Sequence, residues 1–206
     1  MRLNILKKSK KFLAVFTAVI IIAACLAAPT YSWLASRSEQ VVNTFAGGAI
    51  TVTVDEAQVD TNGKKIEGGE RVIANSYKYA AGSVLDKDPT PTVLKGSVPC
   101  YVFLCVDNEL NNLFSMNINM DAWTNVAEEG SKTIYIYNET VDAENSDEDV
   151  VLSPIFTQVT VSNDLTQDDV AMLGEKTVNV TAYAIQTEAL SQQEAVNEAC
   201  GQFFTN

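Results

Sequence analysis

The chain has 206 residues, with 14 basic against 26 acidic side chains and no histidine. Without imidazole there is no Ser/His or Cys/His nucleophile pair and no histidine-ligated zinc site. The acid excess repels phosphate backbones, so nucleic acid is excluded as a partner; no phosphate loop or dinucleotide fingerprint occurs, and no cofactor is expected.

The first element is a basic run, Arg2, Lys7, Lys8, Lys10 and Lys11, followed by an uncharged stretch from Phe12 to Ser36. This is the n-region and h-region of a signal peptide. The apolar part, Phe12 to Ala28, is also long enough to be weighed as a membrane anchor, but Pro29, Thr30 and Ser32 interrupt it and no stop-transfer charges follow. Small residues at the last and third-last positions, Ser32 and Thr30, put the cut between Ser32 and Trp33. Cleavage at Ala27 or Ala28, or lipidation of Cys25 behind Ile22, Ala23 and Ala24, are the alternatives. Residues 1–32 are thus read as a signal, with contact to the membrane only through it before cleavage. The remaining 174 residues suffice for one domain with a sizeable core. The signal holds five basic and no acidic residues, so the mature chain sets nine basic against 26 acidic side chains, a net charge of −17.

Residues 33–48 read as a flexible N-terminal segment. Leu34, Val41, Val42 and Phe45 make it apolar, and Gly47 with Gly48 forms a joint before the next strand. Such a segment is a candidate donor strand for the sheet edge of another subunit, or an edge strand of its own sheet. Residues 49–206 are expected to form a single domain. Ile50, Val52 and Val54 alternate with Thr51 and Thr53 in a half-buried strand, and Thr61 to Glu70, with Gly63, Gly68 and Gly69, reads as a hairpin turn and loop.

Further strands are predicted at Val93 to Leu94, Cys100 to Val106, Met116 to Trp123, Thr133 to Tyr137, Ile155 to Val161 and Val178 to Ile185. Cys100 to Val106 is almost wholly apolar, as in a strand covered on both faces. Many short strands separated by turn signals predict an all-β sandwich. Helix is confined to one short piece capped by Asp164 or Thr166 and ended by Gly174, and a second capped by Ser191 with Glu194 as a capping box.

Three cysteines remain after the signal: Cys100, Cys105 and Cys200. Cys100 and Cys105 point to opposite faces of one strand and cannot bridge each other; Cys200 with either, notably Cys100 with Cys200, is the disulfide to test, against three free thiols. The loop holding Asp142, Glu144, Asp147, Glu148 and Asp149 is the only weak candidate for a metal site, and it lacks the glycine of a calcium loop. Phe103, Trp123, Tyr135, Tyr137 and Tyr183 suit core packing on strands rather than a stacking platform.

The run Thr30, Tyr31, Ser32, Trp33, Leu34, Ala35, Ser36, followed by Asn43, Thr44, Phe45, Ala46, Gly47, Gly48 and an alternating strand, resembles the TasA/camelysin family of Gram-positive bacteria. Tyr77 to Pro91, with a Gly82 turn before a lysine-and-aspartate stretch, the apolar strand at Tyr101, and Val180 to Gln186 are similar to later blocks of that family. Residues 107–175 carry no specific motif of it. The resemblance implies a jelly-roll-like antiparallel β-sandwich with one or two short helices, a signal cut by a SipW-type signal peptidase, and display outside the cell or on its surface. For TasA it implies self-association into biofilm fibres in which the N-terminal segment completes the next subunit's sheet. Camelysin brings a metallopeptidase reading, against which stand the missing histidine and the missing zincin motif. The expected function is an exported structural protein with no catalytic residues; a monomeric surface-displayed binding module is the alternative, and a camelysin-like metallopeptidase the third reading.

Overall fold

The computed structural model describes residues 32–35, 41–45, 48–110, 112–173 and 177–204, of which those up to 48 in backbone only. All belong to one unit, Ser32–Asn206. Residues 1–31 of the expected signal, the Gly47 half of the glycine joint and the expected helix stop Gly174 lie outside the described residues.

The fold is an antiparallel β-sandwich. In chain order its strands are β1 (Ser32–Ala35), β2 (Val41–Phe45), β3 (Gly48–Ala57), β4 (Arg71–Val72), β5 (Ser76–Tyr79), β6 (Val84–Asp86) and β7 (Thr90–Val93). They continue as β8 (Cys100–Asn108), β9 (Phe114–Met116), β10 (Trp123–Glu129), β11 (Lys132–Tyr137), β12 (Val150–Val151), β13 (Gln158–Val161) and β14 (Val178–Gln186). Two helices are present among the described residues, α1 (Gln167–Leu173) and α2 (Gln192–Phe204). One sheet has the order β10-β11-β8-β14; a second runs β12-β7-β3-β2, with β4 also paired to β3. Smaller sheets are β6-β13-β9 and β1-β5. The two larger sheets face each other, with β14 lying against β3 and β2.

The strand β8 shows why the chain stacks in layers. Cys100, Val102, Leu104 and Val106 enter the sandwich core, while Phe103 and Cys105 enter a second cluster on the outer face. Both faces are covered, as its unbroken apolar sequence predicts. The outer cluster is closed by α2, whose Ala195, Ala199 and Phe203 recur every four residues and are buried against Phe103, Ile134, Ile136, Tyr183 and Ile185. Both helices begin with reciprocal caps. Asp169 N–H donates to Thr166 Oγ1 at 3.2 Å while Thr166 N–H donates to Asp169 Oδ2 at 2.9 Å; Ser191 N–H donates to Glu194 Oε2 at 2.9 Å.

The strand expected over Met116 to Trp123 is broken. Asn117 turns its side-chain Oδ1 to the N–H groups of Thr157 and Gln158, at 3.0 and 2.7 Å. Asn119 O then accepts from Ala122 and Trp123 at 3.3 and 3.1 Å, closing a turn between β9 and β10. Asparagine side chains competing for backbone partners end strands in this way.

Candidate functional site

Three inward-facing rows of the sandwich converge at one end of the core, and each ends in a polar residue. On β3 the row is Ile50, Val52, Val54 and then Glu56; leading into β5 it is Asn75, Tyr77, Tyr79; on β6 it is Leu85 and then Lys87. The period of two that carries hydrophobic side chains inward therefore carries Glu56, Asn75 and Lys87 inward as well. Their exposures are 3%, 8% and 3%.

The three side chains form one network. Lys87 Nζ donates to Glu56 Oε2 at 2.5 Å, and Asn75 Nδ2 donates to Glu56 Oε1 at 3.0 Å and to Ala57 O at 2.8 Å. Asn75 Oδ1 accepts the Val59 N–H at 3.2 Å. Burial lowers the Lys87 ammonium from its ordinary value, and the neighbouring Glu56 carboxylate opposes that shift. Burial also raises the Tyr77 phenol, whose hydroxyl donates to Asp86 O at 3.1 Å.

A shell of exposed ion pairs holds these segments together. The Arg71 guanidinium reaches Asp55 Oδ1 through Nε, Asp88 Oδ2 at 3.3 Å through Nη1, and the carbonyls of Asp55 and Asp88 at 3.0 and 3.1 Å through Nη2. Asp88 Oδ1 accepts the Ala57 N–H at 2.6 Å. Lys64 Nζ lies 3.3 Å from Asp86. The turn at Asp60 presents this lysine pair: Asp60 Oδ1 accepts from the N–H groups of Asn62 and Lys64 at 2.8 and 2.9 Å. Gly63 closes that turn at φ 71°, and a Cβ there would stand 2.7 Å from Leu85 Cδ2. Beside the network lies a cavity of about 220 Å³ bordered by Ala57, Val59, Lys65, Lys87, Asp88 and Gln158.

The structure places the sequence-derived candidates elsewhere. Asp142, Glu144, Asp147 and Asp149 do not converge: no group of three or more ligating side chains stands together among the described residues. Asp142 Oδ1 instead accepts the Glu144 N–H at 3.0 Å and Asp149 Oδ1 the Lys95 N–H at 2.9 Å, so two of the four carboxylates shape the loop. The Cys100–Cys200 disulfide is not formed, because Cys100 faces the sandwich core and Cys200 sits on α2 over the opposite face of the sheet; Cys100, Cys105 and Cys200, the cysteines among the described residues, are free thiols. Burial pushes the Cys100 thiol up to about 12 and the Cys105 thiol up to about 11. The strand aromatics are packing groups: Trp123 is fully buried, meets Tyr137 edge-on at 5.0 Å, and donates its indole N–H to Ser153 O at 3.0 Å.

Leu34 falls in β1, and Val41, Val42 and Phe45 in β2, with Gly48 opening β3. Their backbones pair within the same chain: Leu34 opposite Tyr77, Val41 opposite Val52 and Phe45 opposite Gly48. A cut between Ser32 and Trp33 falls at the first residue of β1 and leaves Trp33 to Ala35 aligned with Lys78 to Ser76. Glu56, Asn75 and Lys87 were missed in the sequence, although their place one step beyond Val54, Tyr77 and Leu85 was a readable sign.

Comparison with family models, curated proteins and solved structures finds no match to this chain.

Proposed function

We propose that this chain is an exported structural subunit of the cell surface or extracellular matrix, which self-associates into a biofilm-type fibre through its N-terminal strands. The observation that carries this reading is the position of those strands. Among the described residues each of β1 and β2 pairs with one strand, β5 and β3 respectively, and stands at the end of its sheet. Withdrawing them breaks no other ladder: β3 stays paired to β7 and β4. What withdrawal uncovers are two stretches, 48–52 of β3 and 76–79 of β5, whose backbone groups match the segments that left. An identical segment from a second copy fits those stretches in the same register, so strand exchange turns a closed monomer into a head-to-tail chain. While the signal peptide remains attached, this segment is tethered at its N-terminus, and cleavage by a SipW-type peptidase is what frees it.

The test is deletion of 33–46 from the mature protein, with fibres followed by electron microscopy and folding by circular dichroism. The deletion is expected to abolish fibres, and a synthetic 33–46 peptide is expected to bind the deleted subunit without restoring them. Deleted subunits that fold and still build normal fibres overturn the mechanism.

A further inference from the structure

We propose that Lys87 and Asn75 join in an intramolecular amide bond, formed by the chain itself with Glu56 carrying the proton. The geometry supplies an amine, a carboxamide and one carboxylate in contact with both. Lys87 Nζ and Asn75 Nδ2 hydrogen-bond to the two oxygens of one carboxylate, at 2.5 and 3.0 Å. The amine and the carboxamide are thereby held together in a site from which water is largely excluded. The carboxamide oxygen, where negative charge develops when an amine adds to the carbon, accepts a backbone N–H from Val59 at 3.2 Å.

The steps balance without any co-reactant. Glu56 takes a proton from the Lys87 ammonium, and the neutral Nζ attacks Asn75 Cγ. The Nζ–Cγ bond forms, and Glu56, already in contact with Nδ2, delivers a proton to that nitrogen. The Cγ–Nδ2 bond then breaks and ammonia leaves, the second Nζ proton passing to Glu56 and on to solvent or ammonia. One amide replaces another, nothing is oxidised or reduced, and the cavity bordering Lys87 gives the ammonia a way out. Once in water it is protonated and diluted, so the exchange does not reverse. Burial favours the neutral form of Lys87, which is the nucleophilic one.

The ion pair is hard to explain by stability alone. Taking a lysine and a glutamate out of water carries a desolvation cost that their attraction seldom exceeds, and apolar residues in their place commonly do as well. All three polar residues stand where their strands' alternation asks for hydrophobic ones. A bond from Asn75 to Lys87 clamps the entry of β5 to the exit of β6, and it holds whether or not the subunit forms fibres.

The measurement is the intact mass of the purified, denatured protein. The wild type is expected to be lighter than its processed sequence by one ammonia. Trypsin, cutting after Lys78 but no longer after Lys87, is expected to give a branched peptide joining 72–78 to 79–95. Glu56→Gln, Asn75→Ala and Lys87→Met are each expected to show the full sequence mass, and Asn75→Asp to lose one water instead. Wild-type folding is verified by circular dichroism before the mass is read. Folded wild type at full mass overturns the proposal, as does loss of water in place of ammonia, which would make Glu56 the acceptor. Ammonia loss that persists in Lys87→Met overturns it too, and a linked, folded Glu56→Gln protein removes Glu56 from its role.

Discussion

Replacing Phe203 by alanine tests whether α2 is part of the core or an appendage. Phe203 is 8% exposed and meets Tyr183 edge-on, ring centres 6.2 Å apart. A buried Phe→Ala change costs about 3–5 kcal/mol. Because Phe203 lies in the last turn of its helix, where neighbours relax into the gap, the low end applies, about 3 kcal/mol. For a domain of this size that lowers Tm by roughly 6–12 °C. Urea titration followed by intrinsic tryptophan fluorescence reads the cost directly, with the slope of the transition checked for constancy. Removing the helix altogether uncovers Phe103, Ile134, Ile136, Tyr183 and Ile185. At about 1.5–3 kcal/mol for each side chain, that loss matches the whole stability of an ordinary domain. A chain ending before Gln192 is therefore expected to be insoluble. A Phe203→Ala cost below about 1 kcal/mol, or a soluble, cooperatively folding truncation, refutes the view of α2 as a structural lid.

In the native protein Cys100 and Cys105 should resist alkylation at mildly alkaline pH while Cys200 reacts slowly, with three thiols released on denaturation of the processed chain; two rapidly labelled native thiols contradict this burial. Ser191→Ala is expected to cost about 1 kcal/mol by removing the cap of α2. The Ser191 hydroxyl and N–H hold the Glu194 carboxyl below its usual range, so the carboxylate's own share in the cap is present above the ordinary carboxylate pKa and is lost as pH falls through the lower folded value. Helical circular dichroism should report that loss in the wild type and a smaller one in Ser191→Ala, which keeps the backbone N–H. Mass analysis of secreted protein should place the mature N-terminus between Ala28 and Ala35, at Trp33; a lipid on Cys25 or an uncut chain refutes it. Purified protein should not cleave casein with or without a chelator, and chelator-sensitive turnover by a clean preparation would reverse the structural reading.

The alternation of Ile50, Val52 and Val54 and the apolar run of β8 made the strands and their layering legible, because a period of two and a two-sided apolar strand have few other solutions. The capping residues Thr166 and Ser191 were legible for the same local reason. Residues 117–122 were misread because asparagine side chains decided the backbone there, against an apolar pattern that alone suggests a strand. The site was hidden differently. Glu56, Asn75 and Lys87 are ordinary polar residues in sequence, and what makes them a site is the meeting of β3, β5 and β6, which only the tertiary fold supplies. The acidic loop drew notice by its composition, yet its Asp142 and Asp149 carboxylates serve loop geometry.

The nine-pair ladder between β8 and β14, from Val178 opposite Asn108 to Gln186 opposite Cys100, joins two segments far apart in sequence. A polypeptide that emerges N-terminus first from a ribosome has no partner for that side of its central strand until residues 178–186 arrive. The outer face of β8, with Phe103, waits longer still, for the helix α2 that covers it. Completion of the sheet therefore waits on residues 178–186: a nascent chain stays pliable on that side of β8 until they arrive, and the sheet locks only once they pair.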